Sequence, residues 1–180
     1  MSRLALIGVL ALAFVGCEGK GDEAIAHVGG QTITREQVEQ TVEHFREESE
    51  REGKDFPEEG TADFDKAEDR LLGLLVYRAE LADTAEKLGV EVDDETVERR
   101  LEAGGGSEEE DGEEGEAFIR ASVRAQLLYE RIYRRVTENV VGTSPGATAR
   151  RNEIARRFIA RMQREYASKV HYEPGYEPGS

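Results

Sequence analysis

The side chains with the most chemistry to offer are one cysteine and three histidines, in a chain with 39 acids against 24 lysines and arginines. His27, His44 and His171 stand in separate segments, without the paired spacing of a zinc site. No GxSxG elbow, Walker loop or HExxH helix occurs. The acids from Glu108 to Glu116 lack the fixed ligand spacing, turn glycine and closing glutamate of a calcium loop. On so acidic a chain a pair of carboxylates is no signature, because surface carboxylates are ordinarily just solvated. The sequence therefore offers no catalytic residue, no metal-ligand set and no cofactor site. Cys17 has no partner for an internal disulfide and belongs to no CxxC pair.

The chemistry of Cys17 follows from what precedes it. Arg3 is a short positive start, and Leu4 to Val15 is an apolar run. That run is shorter than the about 20 residues a spanning helix needs, and it has the form of a secretory signal. Phe14-Val15-Gly16-Cys17 resembles a bacterial lipobox, with an apolar residue three before the cysteine and a small one just before it. The usual residue at the first of these positions is Leu, and Phe14 departs from it. The resemblance implies cleavage after residue 16, lipidation of Cys17 and a membrane-held chain. The plainer alternative is a secretory signal with an incidental cysteine. Residues 17–23 form a polar tether with Gly19 and Gly21.

A net charge of -15 repels nucleic-acid phosphates and anionic headgroups, which argues against nucleic-acid binding and serves solubility.

The elements that would carry a binding surface are helical. From Phe64, the residues Ala67, Leu71, Leu74, Leu75, Leu81, Ala85 and Leu88 recur at steps of three and four. Leu72, Val76 and Tyr77 widen that face until the helix is apolar nearly all round, as expected of a central rod. Gly89 supplies a stop, and Asp93 or Asp94 caps a second helix to about Glu102. Upstream, Gly29-Gly30 between short β-formers predicts a tight hairpin. Thr34 with Gln37 is a capping box opening a helix whose buried face is Val38, Thr41, Val42 and Phe45. Residues 104–116 read as an acidic solvated loop. Helices follow over 117–140 and 147–168, the first with Arg120, Arg124, Arg131, Arg134 and Arg135 on its outside. Val170-His171-Tyr172 is extended and able to pair with Ile25–Val28, and residues 173–180 read as a flexible tail.

This order of elements resembles the SurA/PrsA group of envelope foldases, and within it the SurA N-terminal chaperone domain. Ala26 to Val38 matches that family's opening hairpin and helix start. Leu71 to Val97 matches its helix, Gly stop and acid-capped second helix, with Ala85, Lys87, Gly89, Val92, Asp93, Asp94 and Val97 in register. Phe118 to Ile132 matches the next helix, and residues 147–168 look like the helix that returns to the domain. Family members often carry a parvulin prolyl isomerase module between the last two helices. Here that space, Asn139 to Ala147, is too short for a domain with its own core.

The resemblance implies a mainly α domain over 24–172 with a short N-terminal β-hairpin and a returning C-terminal helix. It implies an extracytoplasmic chaperone that holds unfolded or immature exported proteins by apolar contacts. Candidate client-binding residues are those that make the apolar faces too wide: Leu72, Val76, Tyr77, Leu128 and Tyr133. The plain alternative is that these residues are core. Two rival functions remain: prolyl isomerisation by family association, and a structural envelope lipoprotein that partners a separate isomerase.

Overall fold

The structure, a computed structural model, describes residues 23–104 and 112–179. The expected signal, Cys17, the expected tether before residue 23, and residues 105–111 of the expected acidic loop lie outside the described residues.

The chain opens with strands β1 (Ala24–Val28) and β2 (Gln31–Thr34), paired antiparallel around Gly29-Gly30. Gly29 has φ +59°, and a Cβ there would lie 2.5 Å from the Asp83 carboxylate, so the turn excludes any side chain. Thr34 then caps helix α1 (Arg35–Arg51) with the reciprocal box read from the sequence: Gln37 N–H donates to its hydroxyl while the Gln37 side chain accepts from Thr34 N–H. Val38, Thr41 and Val42 are buried as expected, but His44 replaces Phe45 as the fully enclosed ring.

Helix α2 (Ala62–Lys87) is the centre. It touches α1, β1, β2 and two later helices, α4 (Gly112–Thr137) and α5 (Pro145–Tyr166). Its fully buried apolar residues are Leu72, Val76, Ala79, Leu81 and Ala85; Phe64, Leu71 and Leu75 are only half-buried against the core. Each buried Leu or Val side chain among these contributes roughly 1.5–3 kcal/mol. The helix ends as Gly89 turns left-handed (φ +62°), with Val90 N–H reaching Ala85 O at 2.8 Å and Gly89 N–H reaching Glu86 O at 3.0 Å.

Helix α3 (Asp94–Gly104) is capped by Asp93, whose carboxylate accepts from Thr96 N–H at 2.7 Å. It packs mainly on α4 rather than on the central rod. Three of the arginines expected to dress the outside hold this join. Arg124 donates to Val92 O and to Asp94, Arg131 to Glu91 O, and Arg120 pairs with Glu98.

Helix α4 begins at Gly112, earlier than the solvated loop expected over 104–116 allows. Glutamates are good helix formers and favour a helix N-terminus, so an acidic run without apolar residues can still be its first turn. Pro145 opens α5, two residues before the start expected from the sequence: Ser144 caps it through Ala147 N–H, and proline suits the first helical position.

Strand β3 (Val170–Tyr172) pairs with β1, giving the order β2-β1-β3. The segment expected to be a free tail continues along the body. Glu173 N–H donates to Ile25 O at 2.9 Å, the Arg35 guanidinium lies 5.1 Å over the Tyr176 ring, and Gly179 N–H donates to Asp69 at 2.9 Å. The fold is mainly helical with a short N-terminal strand pair and a C-terminal helix.

A polar clamp ties the layers together. Asp83 of α2 is buried and accepts from Gly30 N–H at 3.3 Å, from Lys87 and from the Tyr166 hydroxyl of α5. Lys87 also donates to Tyr166 at 3.0 Å. Burial alone would raise the Asp83 carboxyl, but the bonds from Lys87, Tyr166 and Gly30 outweigh it and hold the group below its usual range.

Candidate functional site

The five residues proposed to widen the apolar faces separate in space. Leu72, Val76 and Leu128 are in the core, at most 9% exposed, where they hold the domain's own layers together. Tyr133 is half-buried, and its hydroxyl donates to Asn152 at 2.8 Å across α4 and α5. Only Tyr77 reaches an open surface without a hydrogen bond to another described residue.

Tyr77 lies in a groove of about 420 Å³ between α2 and α4. The α2 wall is Leu74, Tyr77, Arg78 and Leu81; the α4 wall is Ser122, Ala125, Gln126 and Tyr129. Both sets run at i, i+3, i+4 and i+7, so each helix presents a second stripe beside its core stripe. The lining is overwhelmingly apolar. Among the described residues, Tyr129 is one of two large apolar residues with substantial exposure, at 38%. Burial, then Tyr129 and Glu80 nearby, raises the Tyr77 phenol, which is therefore neutral at physiological pH.

One cation stands among the lining residues. Arg78 donates to Ser122 Oγ at 2.6 Å, and its guanidinium carbon sits 4.4 Å from the Phe118 ring centre. Phe118 in turn stacks on His44 at 4.1 Å and meets Phe45 edge-on at 5.4 Å. Burial lowers the Arg78 pKa, and no carboxylate among the described residues forms an ion pair with it. Arg78 also borders a neighbouring cleft of about 290 Å³, between β2, α2 and α4.

In the sequence Leu74 and Leu81 belong to the expected core face, and nothing marks out Arg78, Ser122 or Tyr129. The repeat Leu74, Tyr77, Arg78, Leu81 was visible as a second helical stripe, but nothing in it distinguished an open face from a covered one. A second groove, about 380 Å³ between α2 and α5, is lined by Lys87, Arg161, Glu165 and Tyr166 and is more polar. Among the described residues no three His, Cys, Asp or Glu side chains gather as a metal site would require, and no helix is long and apolar enough to cross a membrane.

The groove's apolar walls suit reversible capture of apolar side chains, and among the described residues it presents no nucleophile paired with a base. Comparison with curated proteins and with solved structures gave no match. A family model, described as the SurA-like N-terminal domain, matches residues 3–139. The match spans the hairpin and the helices that build the groove, and stops before α5 and β3. On this match the chain belongs to the SurA-like N-terminal domain family, a chaperone-type family.

Proposed function

We propose that the protein is a lipid-anchored extracytoplasmic holdase whose α2–α4 groove binds apolar segments of unfolded or immature exported proteins. The observation that carries this reading is an open, overwhelmingly apolar groove with Tyr77 and Tyr129 on facing walls. An aromatic client side chain that loses about 200 Å² of surface gains roughly 5 kcal/mol at 25 cal/mol per Å², before the cost of ordering the segment. One such contact, less that cost, gives weak and quickly exchanging binding, which a holdase needs. Family membership supports the same reading.

Tyr77, at the groove, is the residue on which client contact rests; Leu72, Val76, Leu128 and Tyr133 act by keeping its walls in place. The anchor is Cys17, acylated on its thiol and on the new amino terminus, because more than one chain is needed for stable attachment. The protein should suppress aggregation of a chemically unfolded client, and no suppression at several-fold excess would end the holdase reading. A photoreactive group at position 77 should crosslink many immature exported proteins in cells; a single stoichiometric product would favour a structural partner instead. Cys17→Ser should move the protein from the membrane fraction to the soluble one, and an unchanged distribution would refute the anchor.

A further inference from the structure

Helix α5 and the three residues after it are the basic part of an acidic chain. Residues 145–169 carry seven lysines and arginines against two acids, +5, while the rest of the chain carries 17 against 37, -20. The cations are also ordered in space. At 3.6 residues per turn, Arg150, Arg157, Arg161 and Arg164 fall within about 60° of one another around the helix and run about 21 Å along it. Ala155, Met162 and Tyr166, on the far side, are buried against the core, so the stripe faces solvent. All four arginines are exposed, with 78% of the Arg157 side chain and 63% of the Arg161 side chain open to water. Glu153 and Glu165 flank the stripe, meeting Arg157 at 2.6 Å and Arg161 at 4.0 Å, and leave it net positive.

We propose that this arginine stripe docks on the anionic headgroups of the membrane that holds the anchor. The inference rests on the anchor reading at Cys17 and adds the orientation of the domain on its membrane. A phosphate pairs bidentately with a guanidinium, and headgroups move sideways to meet arginines at any spacing, whereas a folded acidic partner would have to match the stripe rigidly. The reach fits as well. Residues 17–23 extend at most about 25 Å. They lead into β1, which pairs with β3, and β3 follows α5 closely. Val170 lies opposite Val28, about 13 Å along the strand from Ala24, so the C-terminal end of α5 is within the tether's reach of the surface. The net charge that repels anionic surfaces at a distance is screened beyond about 8 Å in physiological salt, so headgroups touching α5 meet its arginines first. Each arginine near such a surface strengthens attachment by about fivefold. The anchor supplies a local concentration in the millimolar range, so a contact this weak orients the tethered chain yet releases an unanchored one on dilution.

The test uses the mature chain carrying Cys17→Ser, so that no acyl chain contributes, and co-sedimentation with millimolar lipid. The vesicles are phosphatidylcholine with or without phosphatidylglycerol. At about 0.15 M salt the protein should sediment with the phosphatidylglycerol vesicles and not with pure phosphatidylcholine, and about 1 M salt should release it. Arg150→Gln with Arg164→Gln should weaken binding by roughly 25-fold. Arg134→Gln with Arg135→Gln, an equal loss of charge from exposed positions on α4, should leave it unchanged. All four positions are exposed, and circular dichroism checks that both double variants keep the fold. No binding to phosphatidylglycerol vesicles, or equal losses in the two double variants, overturns the docking face. Binding to soluble poly-glutamate as tight as to the vesicles at matched charge overturns the choice of lipid in favour of an acidic protein. These outcomes leave the anchor standing, because fractionation of the lipidated protein tests it separately.

Discussion

Replacing Asp83 with alanine should loosen the hairpin, α2 and α5 at once. The carboxylate is 6% exposed and accepts from three donors on three elements. Losing the acceptor for the buried Tyr166 hydroxyl costs about 1.5–3 kcal/mol, since the bond is charge-assisted. The Gly30 N–H bond adds about 1 kcal/mol. Lys87 is 55% exposed on its side chain, so its ion pair contributes less than about 1 kcal/mol after solvent screening. Allowing for overlap among bonds to one group, the loss should be about 3 kcal/mol, a fall in Tm of roughly 6–12 °C for a domain of this size. Urea unfolding followed by circular dichroism measures the loss directly. A double-mutant cycle with Tyr166→Phe should show at least about 1 kcal/mol of coupling. The folded Asp83 pKa lies below the unfolded value near 3.8, so its contribution is complete above the unfolded pKa and fades as pH falls through the folded one. The wild-type advantage over Asp83→Asn should therefore shrink below about pH 4. A loss under 1 kcal/mol, or strict additivity with Tyr166→Phe, would refute the clamp.

Gly29→Ala should destabilise by about 2 kcal/mol or more in the same urea assay, because φ is +59° and the new methyl meets the Asp83 carboxylate at 2.5 Å. Glu80 is 7% exposed, and burial raises its carboxyl pKa, so its charged form is a cost at neutral pH. Glu80→Gln should therefore stabilise the protein by on the order of 1 kcal/mol at pH 7, with the gain disappearing below the unfolded carboxyl pKa; no gain at pH 7 would contradict the burial argument. Ala125→Trp should fill the α2–α4 groove and reduce aggregation suppression several-fold, since Ala125 lines the groove, with circular dichroism checking that the fold is kept. Full suppression by that variant would place client binding elsewhere.

Local signals carried much of the architecture. The Thr34 and Gln37 box, the Gly89 stop, the Asp93 cap and the extended Val170–Tyr172 each depend on a few neighbouring residues, and each is found where its chemistry points. Properties set by distant partners were harder to read. Leu72 and Val76 look like surplus on a helical wheel, but α2 has neighbours on several sides and buries them. Asp83 was one acid among 39, and only the arrival of Gly30 and Tyr166 makes it a clamp. The arginines of α4 were read as solvated because nothing local showed that the α2–α3 link would offer them carbonyls. Arg78 was hidden for the same reason: a cation in a leucine-rich stripe looks ordinary until Ser122 and Phe118 arrive beside it.

The pairing of β1 with β3 also bears on how the molecule is made. β1 lies at residues 24–28, and its partner at residues 170–172 is synthesised more than 130 residues later. Until that late strand emerges, one edge of β1 has hydrogen-bonding groups with no mate, and a nascent chain in that condition is open to mispairing. Helices α1 to α4 can assemble locally beforehand, but closure must wait for the ribosome to reach Tyr172. A molecule interrupted short of that point would keep an adhesive edge, which marks it for proteolysis.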